Sequence, residues 1–384
     1  MKHIGTLAIL LYLLLSPHRV VAETEFESAV KRLSAPEDYN RSRAARAIGQ
    51  MGNDAISAFD TLYEVALSDD VPKVRHAAAS ALGKIAHAEA VNRFIRELQT
   101  NSVATVREYC VDALMEHPLR SPEATVPLFQ ALRDENEKVR GRAGIALQFY
   151  RNEELEKLLL ESLSNPTDKA REWAPWLLGR MHSQAALSPL HDLLTDKSID
   201  FRKSVVAALR DIQSKTSVPP LIEVVKHDDS DEVRMRAIQC LGELGDQKAA
   251  ATVVAALDDD NPEVRAYAAG AVGTLGVEEA KPRLREILKE VTGRETLAAM
   301  GALCQMKDTN SIPIIMSHLN TTNEFLSLYM MRALVELEAE SEIIQLKDHA
   351  APFIRSAAEE SLKKLQKKKD IQQDKSSVRG IPRR

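Results

Sequence analysis

The sequence predicts an all-α fold, an α-solenoid built from about eleven two-helix repeats. The first observation is a near-constant period, because an anchor position followed by small residues recurs at spacings of 28 to 34 residues. The second is the helical spacing of apolar residues around each anchor. The third is composition, since only 4% of residues are aromatic and 44% are apolar, which suits many small helix–helix contacts. The anchors are Arg41, Arg75, Arg107, Arg140, Arg171, Arg202, Arg234, Arg265, Thr296, Ser327 and Arg355.

The second helix of each repeat begins near its anchor and is clearest around Arg265. Asn261 is placed to cap this helix, and Gly276 is placed to end it. The apolar residues of one face are Val264, Ala268, Val272 and Leu275. A glycine recurs eight residues after the anchor, as Gly49, Gly83, Gly179, Gly242 and Gly273. Because glycine costs a helix interior about 1 kcal/mol relative to alanine, its recurrence predicts a second backbone passing close by.

The first helix of each repeat is predicted from short apolar segments that start with proline. Proline fits a first helical turn, where its missing N–H has no intrahelical partner to lose. These prolines lie 13 or 14 residues before their anchors and are Pro127, Pro189, Pro220, Pro282 and Pro313. A helix pair of this size cannot bury its apolar face alone, so the repeats must stack on one another.

With its Val-Arg pairs, its Ala-Leu-Gly runs and an Asp six positions before the Arg, the chain resembles the HEAT-repeat family, in its short form known from phycobilisome lyases. The resemblance covers about Glu27 to Leu365. It implies a right-handed solenoid whose second helices line a concave face. It also implies a structural ladder between repeats, and we assign that ladder to Asp69, Arg75, Asp134, Arg140, Asp196, Arg202, Asp228, Arg234, Asp259 and Arg265.

The ladder interpretation has an alternative, in which the Asp and Arg residues bind a ligand. An active site needs a unique constellation, whereas this pair recurs in copy after copy, so we favour the structural role. Asn101 and Asn165 replace the Asp in two repeats, and Thr296 and Ser327 replace the Arg in two others. We expect the repeats around Thr296 and Ser327 to be the less stable ones.

The least repetitive residues are aromatic, and they are the candidates for binding a partner. Trp, Tyr and Arg are the residue types that most often dominate binding energies at protein interfaces. The candidate partner-binding residues are Trp173, Trp176, Tyr109, Phe149 and Tyr267. The alternative is that these rings, the tyrosines above all, pack against the next repeat. Pro175 lies inside the predicted second helix and should kink it.

Catalytic and nucleic-acid-binding classes find little support in the residues. Phosphate-binding glycine motifs, HExxH and His pairs at i, i+4 are absent from the sequence, so we expect no cofactor and no metal. HEAT-like deoxyhypusine hydroxylases depend on four His-Glu dipeptides, and this chain has none. The net charge of −5 disfavours a nucleic-acid partner. We therefore expect a non-enzymatic scaffold that binds a protein through its concave face, with a HEAT-like lyase as the alternative.

Both ends of the chain predict a cellular location. Residues 1–22 carry a positive start, an apolar run of twelve residues and a small residue at Ala22, the three parts of a secretory signal peptide. We expect cleavage there and export to the periplasm or medium; a retained anchor is the alternative. The solenoid then occupies 23–365. The basic segment 366–384 is expected to be a disordered tail, which either aids solubility or contacts an anionic surface weakly and so holds an envelope-attached scaffold.

Overall fold

The computed structural model describes residues 17–290, 293–319 and 324–379, and all regular structure in these residues is helical, with no strand. In the described residues twenty-two α-helices follow one another, and the chain divides into two compact units, Met1–Met181 and His182–Arg384. Odd-numbered helices are the first helices of the repeats and even-numbered helices are the second helices. The eleven pairs confirm the predicted all-α fold of about eleven two-helix repeats.

Unit 1 holds five pairs and unit 2 holds six. The helices of unit 1 are α1 Pro17–Arg32, α2 Asp38–Gln50, α3 Phe59–Ser68, α4 Pro72–Ile85, α5 His87–Thr100, α6 Ala104–Met115, α7 Thr125–Ala131, α8 Glu137–Leu147, α9 Glu153–Leu163 and α10 Ala174–Met181. Those of unit 2 are α11 Leu187–Asp192, α12 Ile199–Ile212, α13 Val218–His227, α14 Asp231–Leu244, α15 Ala250–Ala255, α16 Pro262–Leu275, α17 Lys281–Lys289, α18 Gly293–Gln305, α19 Ile312–His318, α20 Glu324–Glu336, α21 Glu340–Gln345 and α22 Pro352–Arg379.

Helix α16 shows how the local sequence produces one repeat. The side chain of Asn261 accepts a hydrogen bond from the Glu263 N–H at 2.8 Å and so caps the helix, as predicted. Gly276 ends it in the left-handed conformation, at φ +66°. Within α16, Val264, Ala268 and Val272 are fully buried and face the core between the first and second helices. The five prolines also lie in the first turns of their first helices, as predicted.

Close approach between second helices is confirmed at three of the five recurring glycines, while Gly83 meets the backbone of Pro118 in the segment that follows α6. A methyl group added to Gly49 would lie 2.9 Å from the Ala81 Cα atom, and one added to Gly273 would lie 2.7 Å from the Ala302 Cα atom. Gly242 meets Ala271 in the same way. In these places neighbouring repeats are so close that no side chain fits between the two backbones.

The recurring arginines of the ladder contact both their own repeat and the next one. Arg107 donates from Nε and Nη2 to the two carboxylate oxygens of Asp134, at 2.7 and 2.8 Å, and Asp134 belongs to the following repeat. Within its own repeat Arg107 donates from Nη1 to the main-chain oxygen of Asn101 at 2.9 Å. Each such arginine therefore links two repeats. The other pairs of this type are Arg41–Asp69, Arg202–Asp228 and Arg234–Asp259.

The ladder changes form where the acceptor residue changes. Arg75 still donates to the main-chain oxygen of Asp69, at 2.8 Å, but the following repeat offers Asn101 in place of a carboxylate. Its guanidinium instead lies 3.7 Å from the ring centroid of Tyr109. Arg140 likewise donates to the main-chain oxygen of Asp134, and Asn165 occupies the acceptor position of the next repeat.

The repeat with Thr296 as its anchor keeps both types of contact with different residues. The Thr296 hydroxyl donates to the main-chain oxygen of Glu290, six residues earlier, at 2.6 Å. Arg265 of the preceding repeat binds Glu295 at 2.5 Å. Lower stability in this repeat remains a prediction, which hydrogen exchange can test.

The first and last helices cross the predicted boundaries of the signal peptide and the tail. Residues 1–16 of the predicted signal peptide lie outside the described residues, and α1 runs from Pro17 across the expected cleavage point at Ala22. The last helix does not end near Leu365, as the predicted start of the tail requires. It continues to Arg379, because 366–379 contains no proline or glycine, Leu365 is buried, and Lys369 forms an ion pair with Glu340. Residues 380–384 are not described.

Candidate functional site

In each unit the second helices share an exposed face, which runs through the positions two, five and nine residues after each anchor and includes the positions one helical turn before them on the same helix. We call this surface the second-helix face. All five predicted partner-binding residues occupy these positions: Tyr109, Phe149, Trp173, Trp176 and Tyr267. Four of them lie in unit 1 and one lies in unit 2.

The tryptophan pair combines packing and surface exposure. Trp173 lies directly against Gly144 of α8, where any Cβ atom would overlap its ring. The two indole rings meet edge to face, with centroids 5.9 Å apart, and both side chains are half-buried. Trp173 is therefore in large part a packing residue between repeats, while Trp176 extends the surface beside it.

Tyr109 and Phe149 lie under arginines. Half-buried Tyr109 faces the Arg75 guanidinium described above, and the Phe149 ring lies 4.1 Å from the guanidinium carbon of Arg120. Phe149 follows the end of α8 at Leu147 and is 45% exposed. Cation–π contacts fix both rings without removing Phe149 from the surface.

Pro175 does not kink a continuous helix. It is the second residue of α10, and a short 3₁₀ helix, Lys169–Glu172, precedes it. The second helix of this repeat is thus divided into two pieces. This division is expected, because proline is tolerated in a first turn and disrupts a helix interior.

The two tryptophans belong to an apolar patch on the surface of unit 1. We define the unit 1 apolar patch as Ile145, Phe149, Trp173 and Trp176; Ile145 is 44% exposed and next in sequence to Gly144, on which Trp173 packs. Ile145 escaped the sequence interpretation because only aromatic residues were considered. Its position five residues after Arg140, on the exposed face of the second helix, could have identified it.

A charged cluster adjoins this patch. Its carboxylates, Glu108, Asp112 and Glu116, follow one another at four-residue intervals from α6 onwards. His76 of α4 lies 2.7 Å from Glu116, and Arg142 of α8 lies 3.4 Å from both Glu108 and Asp112. We call these five residues the charged cluster. Arg142 and Ile145 are one turn apart on α8, so the cluster and the apolar patch are continuous.

Asp112 is the most unusual member of the cluster. Its side chain is 7% exposed, and its buried Oδ1 atom accepts no hydrogen bond from any described residue. Burial raises the pKa of Asp112 above its ordinary value. The hydrogen bond to Glu116 raises the pKa of His76, against the opposing effect of burial. Both groups therefore bind a proton more readily in the folded chain than in the unfolded chain.

The raised pKa of His76 predicts that this residue contributes more to the stability of unit 1 as the pH falls from 8 towards 6. A raised histidine pKa stabilises the fold fully below the unfolded value, and this contribution is lost as the pH rises through the folded pKa. The raised pKa of Asp112 gives a contribution of the same sign, which is present at acidic pH and is lost as the pH rises above the ordinary carboxyl range. In urea denaturation followed by tryptophan fluorescence, His76→Gln should show a smaller gain in unfolding free energy between pH 8 and pH 6. Both tryptophans lie in unit 1, so the signal reports on that unit. Equal gains in the two proteins would contradict the prediction.

Unit 2 carries two clefts on its second-helix face. One, of about 440 Å³, lies along α14, α16 and α18 and includes Tyr267, Gly270 and Arg294. The other, of about 370 Å³, lies between α18 and α20 and includes Gly301, Cys304 and Tyr329. Tyr267 is 36% exposed, so the structure places this candidate at the rim of a cleft. Small residues bring the backbone to the surface in both clefts.

Helix α20 presents an exposed apolar surface beside the second cleft. We define the α20 patch as Phe325, Leu328 and Tyr329, which are 63%, 53% and 42% exposed. The rings of Phe325 and Tyr329 lie 4.9 Å apart. The sequence interpretation missed Phe325 and Leu328. Met330 and Leu334 are buried on the opposite side of α20, so this helix has apolar residues on two faces. That pattern in the sequence could have identified the exposed residues.

Other chemistry is limited in the described residues. Cys110, Cys240 and Cys304 are free thiols, and burial raises the pKa of Cys304 to about 11, which disfavours the reactive thiolate. In the part of the chain that the structure covers, no group of three or more His, Cys, Asp or Glu residues could hold a metal ion. Among the described helices, none is both long enough and apolar enough to cross a membrane.

Comparison with known proteins identifies the repeats. The family described as HEAT repeats matches residues 26–115, 125–210, 155–239 and 218–300. Deoxyhypusine hydroxylase-B of Oryza sativa is 29% identical over 216 residues, covering 54% of this chain and 67% of the relative. Deoxyhypusine hydroxylase of Arabidopsis thaliana is 31% identical over 184 residues, covering 40% and 58%. Bilin biosynthesis protein PecE of Mastigocladus laminosus is 25% identical over 199 residues, covering 49% and 74%.

These relatives overturn the prediction that the chain is not an enzyme. Two of them are named as hydroxylases and the third as a biosynthesis protein, so the absence of familiar catalytic motifs was not a sufficient reason to exclude catalysis. The physical reason is that an active site can be assembled from residues far apart in a repeat array, which short motifs do not record.

Solved structures show the same fold. Yeast importin-beta (Kap95p) matches with a TM-score of 0.59 and 13% identity, over 89% of this chain and 57% of that one. The karyopherin Kap121p matches with a TM-score of 0.58 and 12% identity, over 91% of this chain and 46% of that one. This chain therefore spans about half the length of these structures. Likeness at this identity shows a common helical-repeat architecture.

Proposed function

The chain belongs to the HEAT-repeat family, and from this premise we propose that it binds a segment of another protein through its second-helix face. The α20 patch carries the proposal. Three large apolar side chains, Phe325, Leu328 and Tyr329, are exposed side by side, next to a cleft whose wall is partly backbone. Exposed apolar clusters of this kind are costly in water and are typical of interfaces.

The fold supports this proposal in a general way. Kap121p has been solved bound to the extreme C-terminus of the phosphatase Cdc14p and bound to Pho4p, so a solenoid of this architecture can hold protein segments. The site in this chain rests on its own residues. Aromatic and aliphatic side chains at the rim would anchor the segment, and Gly301 would let its backbone approach α18 closely.

A peptide-display selection against the full chain tests the proposal. Selected peptides should bind the wild type at least about tenfold more tightly than Leu328→Gln or Phe325→Gln, because each change removes an apolar anchor. Ile344→Gln is the matched control: Ile344 is also in unit 2 and 51% exposed, but it lies on the first helix α21. Peptides whose affinity is the same for Leu328→Gln and Ile344→Gln would reject this site.

We also propose that the protein is exported and that the basic end of the chain makes weak contact with an anionic surface. Export rests on the sequence pattern of residues 1–22, and weak contact with an anionic surface rests on the nine Lys or Arg among the last 22 residues. N-terminal sequencing of the protein purified from its native host tests cleavage, and a chain that begins at Met1 rejects it. Truncation after Leu365 should lower binding to vesicles that contain anionic lipid.

Catalysis is the second candidate, favoured by the names of the relatives. The hydroxylase form has no support in the residues, because the sequence lacks His-Glu and the described residues offer no metal-binding group. A role in bilin chemistry is therefore the form to test. Adding a bilin to the purified chain should then change the absorption spectrum of the pigment; an unchanged spectrum would set this candidate aside.

A further inference from the structure

We propose that Arg120 and Arg151 of unit 1 bind the side-chain carboxylates of an acidic segment in a partner protein. The guanidinium of Arg120 lies over the ring of Phe149, and Arg151 follows that ring by two residues in the chain. The inference rests on the proposed function, in which the partner is a protein segment, and it names the chemistry of that segment. It uses residues of unit 1 alone and does not depend on the α20 patch.

Two contacts hold the guanidinium of Arg120 in place. Its carbon atom is 4.1 Å from the centroid of the Phe149 ring, and its Nε atom donates to the main-chain oxygen of Met115, the last residue of α6, at 2.7 Å. Arg120 is nevertheless exposed, and its two Nη atoms have no acceptor among the residues that the structure describes. Because the side chain is already fixed, binding a carboxylate costs it little conformational freedom.

Arg151 repeats this arrangement at the end of the next second helix. Its Nε atom donates to the main-chain oxygen of Gln148, directly after the end of α8, at 3.3 Å. It too is exposed, and no other described residue accepts a hydrogen bond from it. Arginines are common at helix C-termini, where they satisfy the last carbonyl groups. Here that role uses one nitrogen of each guanidinium, and the other two nitrogens can bind a ligand.

Another stacked arginine of unit 1 shows which ligand such a guanidinium accepts. The guanidinium carbon of Arg133 lies 4.7 Å from the centroid of the Phe129 ring. Its Nε and Nη2 atoms donate to the two carboxylate oxygens of Asp168, at 2.9 and 2.7 Å. Stacking on phenylalanine is therefore compatible with a paired contact to a carboxylate, the strong form of a charge-assisted hydrogen bond. Arg120 has the same stack, but it forms no ion pair with any carboxylate of the described residues.

The carboxylates nearest in sequence to the two arginines have other roles. Glu116 is bound by the histidine of the charged cluster, and Glu123 accepts a hydrogen bond from a serine hydroxyl. Glu153 and Glu154 lie in the first turn of α9, where the helix dipole stabilises negative charge. An acidic residue of a partner would therefore meet two exposed guanidiniums that no described carboxylate of this chain neutralises.

The unit 1 apolar patch defines the rest of the ligand. Phe149 belongs to that patch and remains 45% exposed beneath Arg120, and Ile145, one turn earlier, is 44% exposed. A segment whose acidic residues reach the two arginines would place neighbouring apolar residues against these side chains. The inferred partner segment thus carries aspartate or glutamate with an aromatic or aliphatic residue close to it in sequence.

The test uses two sets of synthetic peptides on a Gly-Ser background, with both ends blocked so that side chains carry the only charges. Each peptide of the first set has two glutamates and one tryptophan or leucine, at varied spacing. The second set has glutamine in place of glutamate. Fluorescence polarisation with the full chain should show at least about fivefold tighter binding of the best glutamate peptide than of its glutamine match. High salt should reduce this preference.

Variants then assign the preference to the two arginines. Arg120→Gln and Arg151→Gln should each lower the glutamate preference by at least about twofold and leave the affinity for glutamine peptides unchanged. Phe149→Leu keeps both charges and an apolar side chain but removes the ring that holds Arg120. It should therefore also lower the preference, a result that net charge alone would not produce.

Arg96→Gln is the matched control, because Arg96 is also an exposed arginine of unit 1 but lies on the first helix α5. It changes the net charge by the same amount and should leave the preference intact. A preference that persists in both arginine variants, or that falls equally in the control, overturns the inference. Equal binding of the two peptide sets, or binding by neither set, also overturns it. Display peptides that depend on Leu328 would in those cases leave the proposed function standing.

Discussion

Replacing Arg107 by alanine is expected to lower the free energy of unfolding of unit 1 by about 3 kcal/mol, the low end of the cost of breaking a buried ion pair. The guanidinium makes two hydrogen bonds to Asp134 of the next repeat and one to the main-chain oxygen of Asn101. The side chains of Arg107 and Asp134 are 8% and 11% exposed, so water cannot readily replace these bonds. The measurement is urea denaturation followed by tryptophan fluorescence.

Two further variants distinguish the effect of the buried hydrogen bonds of the ladder from the effect of the arginine charge alone. Glu135 also lies near Arg107, at 3.5 Å, but its side chain is 86% exposed. Glu135→Ala should therefore cost less than about 0.5 kcal/mol, as is usual for exposed ion pairs. Arg107→Lys keeps the charge and loses the planar fork that contacts both carboxylate oxygens, so its cost should lie between the two. A loss below about 1 kcal/mol for Arg107→Ala would show that the ladder is not what joins the repeats.

Local rules made most of the fold predictable from the sequence. The cap at Asn261, the left-handed end at Gly276 and the buried face of α16 depend on residues within one helix. Because the anchors recur at a nearly constant spacing, the prediction of one helix pair could be extended to all eleven. The length of α22 was missed because composition alone suggested a disordered tail, whereas burial of Leu365 and the contact of Lys369 with α21 depend on tertiary packing.

The contacts between repeats were harder to predict because they depend on the offset between neighbouring second helices. Position eight of one helix meets position six of the next, as Gly242 meets Ala271. Without this offset, Asp134 looks like the partner of an arginine in its own repeat. The same offset brings Trp173 onto Gly144, so a ring selected for its binding potential is partly a packing residue.

The candidate site was predicted in outline only. Counting from the anchors located the outer face, since positions two, five and nine avoid the buried stripe. Counting those positions missed Phe325 and Leu328, which lie two residues before and one residue after Ser327, and the choice of aromatic residues excluded the charged row around Asp112. The lack of a hydrogen bond at Asp112 is a property of three helices packed together, and no pattern within one helix reports it.

Two glycines one turn apart on α16 should respond to alanine with opposite signs. Gly273→Ala is expected to destabilise unit 2 by about 2 kcal/mol, within the usual cost of overpacking. The new Cβ atom would lie 2.7 Å from the Ala302 Cα atom, and because backbone lies on both sides, the neighbouring repeat must shift. Hydrogen exchange of residues 262–305 measures the change, since the tryptophans do not report on unit 2.

Gly270→Ala is the matched control, because no atom lies within 4 Å of the position that its Cβ would take. It should stabilise α16 by about 0.5–1 kcal/mol, the ordinary advantage of alanine over glycine in a helix. Both substitutions add one methyl group to the same helix, so the difference in helix propensity between glycine and alanine cancels when the two variants are compared. The remaining difference isolates the contact between repeats. Slower exchange in both variants would mean that α16 and α18 can separate at little cost, and that close backbone approach is not what selects glycine at Gly273.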